Sequence, residues 1–301
     1  MLWIIANVGM FVTALLALLP LPGITDQNYQ LMELMISLFY YPLFVGLPVF
    51  LLARRTPGQW RSLRPYPISL LSVLSIVALA LVGVFFATDL TALWSILLEE
   101  LGLKLSGSSL VVPVSAPGLT LCVLNVAVLP GICEEFLFRG TILPAFEKYG
   151  TRYAVLVSAG LFALLHGSLE GLPAHFLLGV IMGTLVVCCN SIYAGLIFHT
   201  TYNAATVILI SLANRSAGVS SGAARMLDSI GGMQGALALL VEMLLMGGMM
   251  LFTLKMFRVT ATLRGIPFQP RRREPLRGAE RALLIAALLL AALLYAVNRL
   301  F

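Results

Sequence analysis

Uninterrupted apolar runs of membrane-spanning length constrain this chain more than any other feature. They fall near 2–20, 31–53, 69–88, 119–139, 153–167, 172–189, 193–213, 236–256 and 282–298. A bilayer core of about 30 Å takes roughly 20 apolar residues as a helix, and the runs at 153–167 and 172–189 are short by that measure. The runs are continuous rather than alternating, which argues against a membrane β-barrel. With 60% hydrophobic and 11% charged residues, the chain lacks the charge that would clothe a soluble domain of 301 residues. The expected fold is all-α: a polytopic membrane protein with about eight or nine transmembrane helices.

A formal charge of +6 invites a nucleic-acid partner, but its distribution points to lipid. Let loop 20–30, which has no Lys or Arg, face outward and let the crossings alternate. The basic residues then fall in inward stretches at 54–64, 139–152 and 255–281, leaving Lys104, Arg215, Arg225 and Arg299 outside. That is a positive-inside bias, and the expected location is the cell membrane, with basic loops 54–64 and 257–281 cytoplasmic against anionic headgroups. No aromatic interleaving or binding motif accompanies the basic runs, so no nucleic-acid partner is expected. The first run lacks a positive n-region and a small-residue cleavage site, and reads as a membrane helix rather than a signal peptide. Cys122, Cys133, Cys188 and Cys189 lie in apolar runs without CxxC spacing and read as packing residues.

Three regions are expected. Residues 1–118 hold N-terminal membrane helices and an outer connection in which "LTALWSILLEELGLKL" (90–105) forms a separate interfacial helix. Residues 119–213 hold four helices on short links and nearly all the intramembrane polar residues. Residues 214–301 hold an outer loop, one membrane helix, the basic linker and a terminal helix.

The stretch "LPGICEEFLFRG" (129–140) places Glu134, Glu135 and Arg139 inside an apolar run. A charge at mid-bilayer costs about 2.5–3.5 kcal/mol on insertion scales, so such residues face a cavity or a partner. Glu135 and Arg139 are four apart and pair on one helix face. Glu134 lies about 100° round the helix and, unpaired in a cavity, is a candidate general base. The plainer alternative is that Arg139 marks the inner end of the helix, with both acids in headgroup water. The chain's 3 histidines, His166, His175 and His199, all lie in the middle region. Asn203 shares a helix face with His199, and Phe162 precedes His166 by one turn. Two histidines, an asparagine and a glutamate pair on neighbouring helices supply a base, a water-orienting group and oxyanion donors, as amide hydrolysis requires. His175, just after Pro173, reads as structural.

Glu134-Glu135-x-x-x-Arg139, Phe162-x-x-x-His166 and His199-x-x-x-Asn203 resemble the three ordered motifs of the CAAX-protease and bacteriocin-processing (CPBP, or Abi) family of intramembrane proteases. That family includes the type II CAAX prenyl endopeptidase. The resemblance covers roughly residues 120–210 and implies a membrane endopeptidase acting on a peptide or protein substrate, lipidated or not. It implies Glu134 as the water-activating glutamate, His166 as the residue that holds that water, and His199 with Asn203 as oxyanion donors. Glu135, Arg139 and Phe162 would support them. The family is described both as metal-independent and as a metalloprotease. In the latter reading Glu134, His166 and His199 would bind a divalent metal such as zinc, and spacing favours neither, because no HExxH pair is present.

Two other readings remain: a proton- or cation-coupled transporter using Glu134, Glu135 and Glu242, and an idle immunity or scaffold relative. No inverted repeat supports transport, and the intact motifs lean against idleness. A hydrolytic site also has a geometric requirement. His166 must end its short helix at mid-depth, with "GSLEGLP" (167–173) re-entrant and lining the cavity.

Overall fold

The structure, a computed structural model, describes residues 35–55, 63–103, 110, 112–113, 115–216 and 233–262, with isolated positions 5, 6, 8, 9, 278, 282, 285, 286 and 289. Every regular element among the described residues is helical. In chain order these are α1 (Met35–Arg55), α2 (Leu70–Glu100), α3 (Ala116–Tyr149), α4 (Thr151–Leu165), α5 (Leu172–Cys189), α6 (Ile192–Ser216) and α7 (Met233–Thr262). Helices α1, α2, α3, α5 and α6 are long and apolar enough to cross a membrane; α4 and the apolar centre of α7, Leu240–Phe252, are shorter. The chain is an all-α polytopic membrane protein. The expected first and last crossings, 2–20 and 282–298, lie outside the described residues apart from isolated positions.

Two expected boundaries move. The segment from residue 90 does not form a helix of its own but continues α2 to Glu100. The apolar run ends near residue 88, yet neither Gly nor Pro stands between Gly83 and Gly102 to stop the helix. The Thr88 hydroxyl bonds back to the Val84 carbonyl at 2.8 Å, so its polarity is absorbed within the helix. Likewise α7 runs to Thr262, past residue 257 where the basic linker was expected to begin. The remainder of that linker lies outside the described residues.

Helix α3 is not uniform. Two π-helical turns, Leu124–Val128 and Phe138–Ile142, bracket the α-helical stretch Leu129–Leu137 that carries both glutamates. Such turns arise where a side chain or a missing donor disturbs the i→i−4 ladder. Here Pro130 offers no N–H to the carbonyl of Val126 four residues earlier. The Asn203 amide of α6 donates to that carbonyl instead, at 2.9 Å. Helix α4 begins at Gly150 (φ 113) and closes at His166, because Gly167 (φ 61) takes a left-handed conformation that L side chains resist. Asn190 closes α5 in the same way, at φ 49 and ψ 41.

Helix α6 packs on α2, α3 and α5, α4 lies along α5, and α7 lies along α2. The buried core unites α1 to α6 through Val45, Ile76, Leu137, Phe162, Leu185 and Phe198. The connection before α2 is fastened to the other end of this bundle. Arg64 pairs with the buried Glu147, its carbonyl accepts from the Ile192 N–H at 3.1 Å, and Ser191 donates to the Tyr66 carbonyl.

Gly179 sets the spacing of α4 and α5: a Cβ there would stand 2.8 Å from the Cα of Ala159. Backbones approach this closely only over small residues. Gly179→Val is expected to lower stability by about 2 kcal/mol or more, read as a lower thermal midpoint in detergent. A wild-type midpoint would show that the helices are not in backbone contact there.

Candidate active site

The site is assembled from α3 outward. Glu134 is 4% exposed, and Glu135 and Arg139 are fully buried. The expected pair forms, with Arg139 Nη1 donating to Glu135 Oε1 at 2.6 Å. Arg139 Nη2 also donates to the Gly179 carbonyl of α5 at 3.1 Å. The guanidinium lies over the Phe162 ring of α4, its carbon 4.7 Å from the ring centroid. A cation on an aromatic face is attracted by the ring quadrupole, the more so where water is excluded. One side chain thereby ties α3 to α4 and α5.

From α6, His199 Nδ1–H donates to the same Glu135 Oε1 at 3.1 Å. The carboxylate is an acceptor only, so the proton sits on Nδ1 and Nε2 is left for other chemistry. Gly195, one turn earlier on α6, makes room for this carboxylate, because a Cβ there would collide with Glu135 Oε2. His166 Nδ1 meets the Phe162 carbonyl at 2.9 Å. A carbonyl accepts, so this Nδ1 also carries the proton and Nε2 presents a lone pair. Phe162 touches each of these groups. Its ring centroid lies 4.7 Å from that of His166 and 5.7 Å from that of His199, and its edge meets Phe138 at 5.3 Å.

Glu134 stands on the next face of the helix, beside this network, as its position in the sequence requires. The Tyr41 hydroxyl of α1 lies close enough to Glu134 to interact with its carboxylate, while Glu134 Oε2 is buried with no hydrogen-bond partner among the described residues. Arg139 is close enough to feel the charge of Glu134 as well as that of Glu135. Buried polar atoms almost always have partners, so this oxygen is exceptional, as is Glu135 Oε2, which is packed against Gly195 of α6 and also lacks a hydrogen-bond partner among the described residues.

The motif residues Glu135, Arg139, Phe162, His166 and His199 therefore meet in one cluster. Asn203 is engaged at the Val126 carbonyl, with one amide N–H committed there. Two members of the neighbourhood were not expected: Tyr41, and His175, whose ring stacks on that of His166 with centroids 4.0 Å apart. Tyr41 carried a signal of its own, a pair of tyrosines beside a proline in an apolar run. The link after His166 is half-buried and is held by Trp94 of α2, whose Nε1–H donates to the Leu169 carbonyl at 2.9 Å. Glu242, the acid a transport path would recruit, is exposed on α7 within electrostatic range of the buried Asp89 of α2.

The ligand set for a metal does not close. Among the described residues no three His, Cys, Asp or Glu side chains converge on a point that would hold an ion, the set Glu134, His166 and His199 included. Glu135 Oε1, which is engaged by Arg139 and His199, would be a poor donor as well.

Comparison with known proteins adds one finding. Residues 116–205 match the family model described as type II CAAX prenyl endopeptidase Rce1-like. No curated protein matches the chain, and no solved structure matches it.

Removing one partner of a buried ion pair leaves an uncompensated charge, at about 3–5 kcal/mol. Arg139→Ala is expected to lose that much, whereas Tyr41→Phe, which removes only the hydroxyl beside Glu134, is expected to lose about 1–2 kcal/mol. Thermal unfolding of both variants in detergent checks this order; equal losses would show that the two contacts are equivalent supports.

Proposed function

We propose that this chain, whose residues 116–205 belong to the CAAX-protease (CPBP) family, is an intramembrane endopeptidase in which Glu134 activates the attacking water. The observation that carries this reading is the state of the two adjacent carboxylates. Glu135 Oε1 is held by Arg139 and His199, and its Oε2, also without a hydrogen-bond partner among the described residues, is shut in against Gly195 of α6. Glu134 has no such cation–imidazole clamp and keeps a buried Oε2 with no hydrogen-bond partner among the described residues. A general base needs a free lone pair within hydrogen-bond reach of the proton it takes, and Glu134 Oε2 is such an atom.

In the proposed reaction Glu134 Oε2 takes a proton from water as the water oxygen bonds to the scissile carbonyl carbon. His166 Nε2, its Nδ1–H fixed on the Phe162 carbonyl, accepts from the same water and orients it. The carbonyl oxygen becomes an oxyanion. His199 faces it as a donor through Nε2, having taken a second proton there from solvent before the attack and returning it after the intermediate collapses, with the Glu135 carboxylate offsetting the charge of the ring. Asn203 contributes its second amide N–H. The tetrahedral intermediate then expels the amine, to which Glu134 returns the proton, leaving a free carboxylate and a free amine. Tyr41 steadies the oxygen of Glu134 that does not take the proton.

The substrate is a peptide or protein segment reaching the site from the cytoplasmic side or the bilayer; a prenyl group is not required by any of these contacts. Orientation follows the positive-inside bias, with the basic stretches 54–64 and 257–281 on the cytoplasmic side and the protein in the cell membrane. The half-buried turn 167–171 under Trp94 supports the requirement that His166 lie at mid-depth.

The test is cleavage of a quenched peptide library by purified protein. Glu134→Ala and His199→Ala are each expected to reduce turnover about 100-fold or more while remaining folded. Full activity in either variant would remove that residue from the mechanism. Activity is further expected to survive chelation; its loss, with about one zinc per chain, would replace this mechanism with a metal-dependent one.

A further inference from the structure

His175 belongs to none of the three motifs, yet it completes the enclosure of one of their members. It sits in the first turn of α5, and its ring lies 4.0 Å from that of His166, 21° from parallel. His166 is thereby gripped three ways: Nδ1–H on the Phe162 carbonyl at 2.9 Å, one edge on the Phe162 ring at 4.7 Å, and one face on His175. The hydrogen bond alone fixes one atom and leaves the ring free to tilt about it. The stack removes that freedom.

The placement of His175 fits a role exercised through its face. Its Nδ1 is buried and has no hydrogen-bond partner among the described residues, so no polar contact at that atom accounts for a histidine there. Behind it the chain is close: a Cβ on Gly171 would stand 2.5 Å from the His175 ring. The His175 N–H is anchored to the Gly171 carbonyl at 2.8 Å. The ring is thus wedged between the turn and His166.

We propose that His175 is a positioning residue of the hydrolytic site, whose stacked ring fixes the plane of His166 so that His166 Nε2 presents its lone pair to the attacking water. This rests on the hydrolase reading above. Misplacing a catalytic group by about 1 Å lowers rate on the order of 100-fold, and the loss falls on turnover because His175 itself meets no substrate.

The experiment uses the purified full chain and a peptide that the wild type cleaves. His175→Ala is expected to lower kcat about 10- to 100-fold with KM unchanged. His175→Phe, which keeps a flat ring at the same place, is expected to return kcat to within about threefold of wild type, a rescue that proximity of a catalytic group, rather than its chemistry, would produce. In a His166→Ala background, His175→Ala is expected to add no further loss. Thermal midpoints accompany each variant, and if the alanine variant does not fold, His175→Gln takes its place with the same expectation. Wild-type kcat in the alanine variant, no rescue by phenylalanine, or a full further loss in the His166→Ala background would each overturn the proposal. Glu134→Gln run alongside separates the two claims. If it cleaves normally the reading of Glu134 as the water-activating base fails; if it is inactive while His175→Ala is fully active, only the positioning role fails.

Discussion

The Glu135–Arg139 ion pair is the contact on which the rest of this structure depends. Both side chains are fully buried in a chain built to sit in lipid. Two charges survive there only if each is matched by good geometry and further hydrogen bonds. Parts of four helices supply those contacts: the guanidinium and carboxylate on α3, the Phe162 face on α4, the Gly179 carbonyl on α5 and the His199 ring on α6, leaving only Glu135 Oε2 and Arg139 Nε of the pair without a hydrogen-bond partner among the described residues. The two glycines are consequences of the same demand. Gly179 lets α5 come close to α4 where its carbonyl meets Arg139, and Gly195 leaves space for the carboxylate. With Glu135 Oε1 taken by Arg139 and His199, Glu134 on the next face of the helix keeps a buried oxygen with no hydrogen-bond partner among the described residues.

The frame around the pair places the remaining groups. Pro130 and the π-helical turns on either side of the glutamates distort α3 locally, and the Asn203 amide fills the donor role that Pro130 leaves open. That contact registers α6 against α3, so His199, one turn from Asn203, arrives at Glu135. Helix α4 is too short to cross a bilayer by itself and ends at His166 because Gly167 stops it. The chain then turns under Trp94 into α5.

What the sequence disclosed follows from how local each feature is. Glu135 and Arg139 could be paired from their spacing alone, since four residues make one turn of helix. The apolar runs announced an all-helical membrane fold, and the three motifs pointed to the helices that carry the cluster. The sharing of Glu135 with His199 was not legible, because it depends on how α6 lies on α3, 64 residues away in sequence. Tyr41 and His175 were hidden for the same reason. Each reaches its partner across a helix interface, and neither stands in a helical spacing with it. Asn203 shows a different limit: its shared face with His199 was evident, but its bond to Val126 required knowing that Pro130 would strand that carbonyl. The break expected near residue 90 failed because Thr88 turned its hydroxyl back onto its own helix.

The central claim is that Glu134 acts as a base upon water rather than as a nucleophile or a transport site. A single-turnover cleavage in heavy-oxygen water, followed by mass spectrometry of the peptide products and of the enzyme, tests it most directly. The account predicts one heavy oxygen in the newly formed carboxylate of the product and none in the side chain of Glu134. Heavy oxygen retained in Glu134, or the absence of any cleaved product, would contradict it.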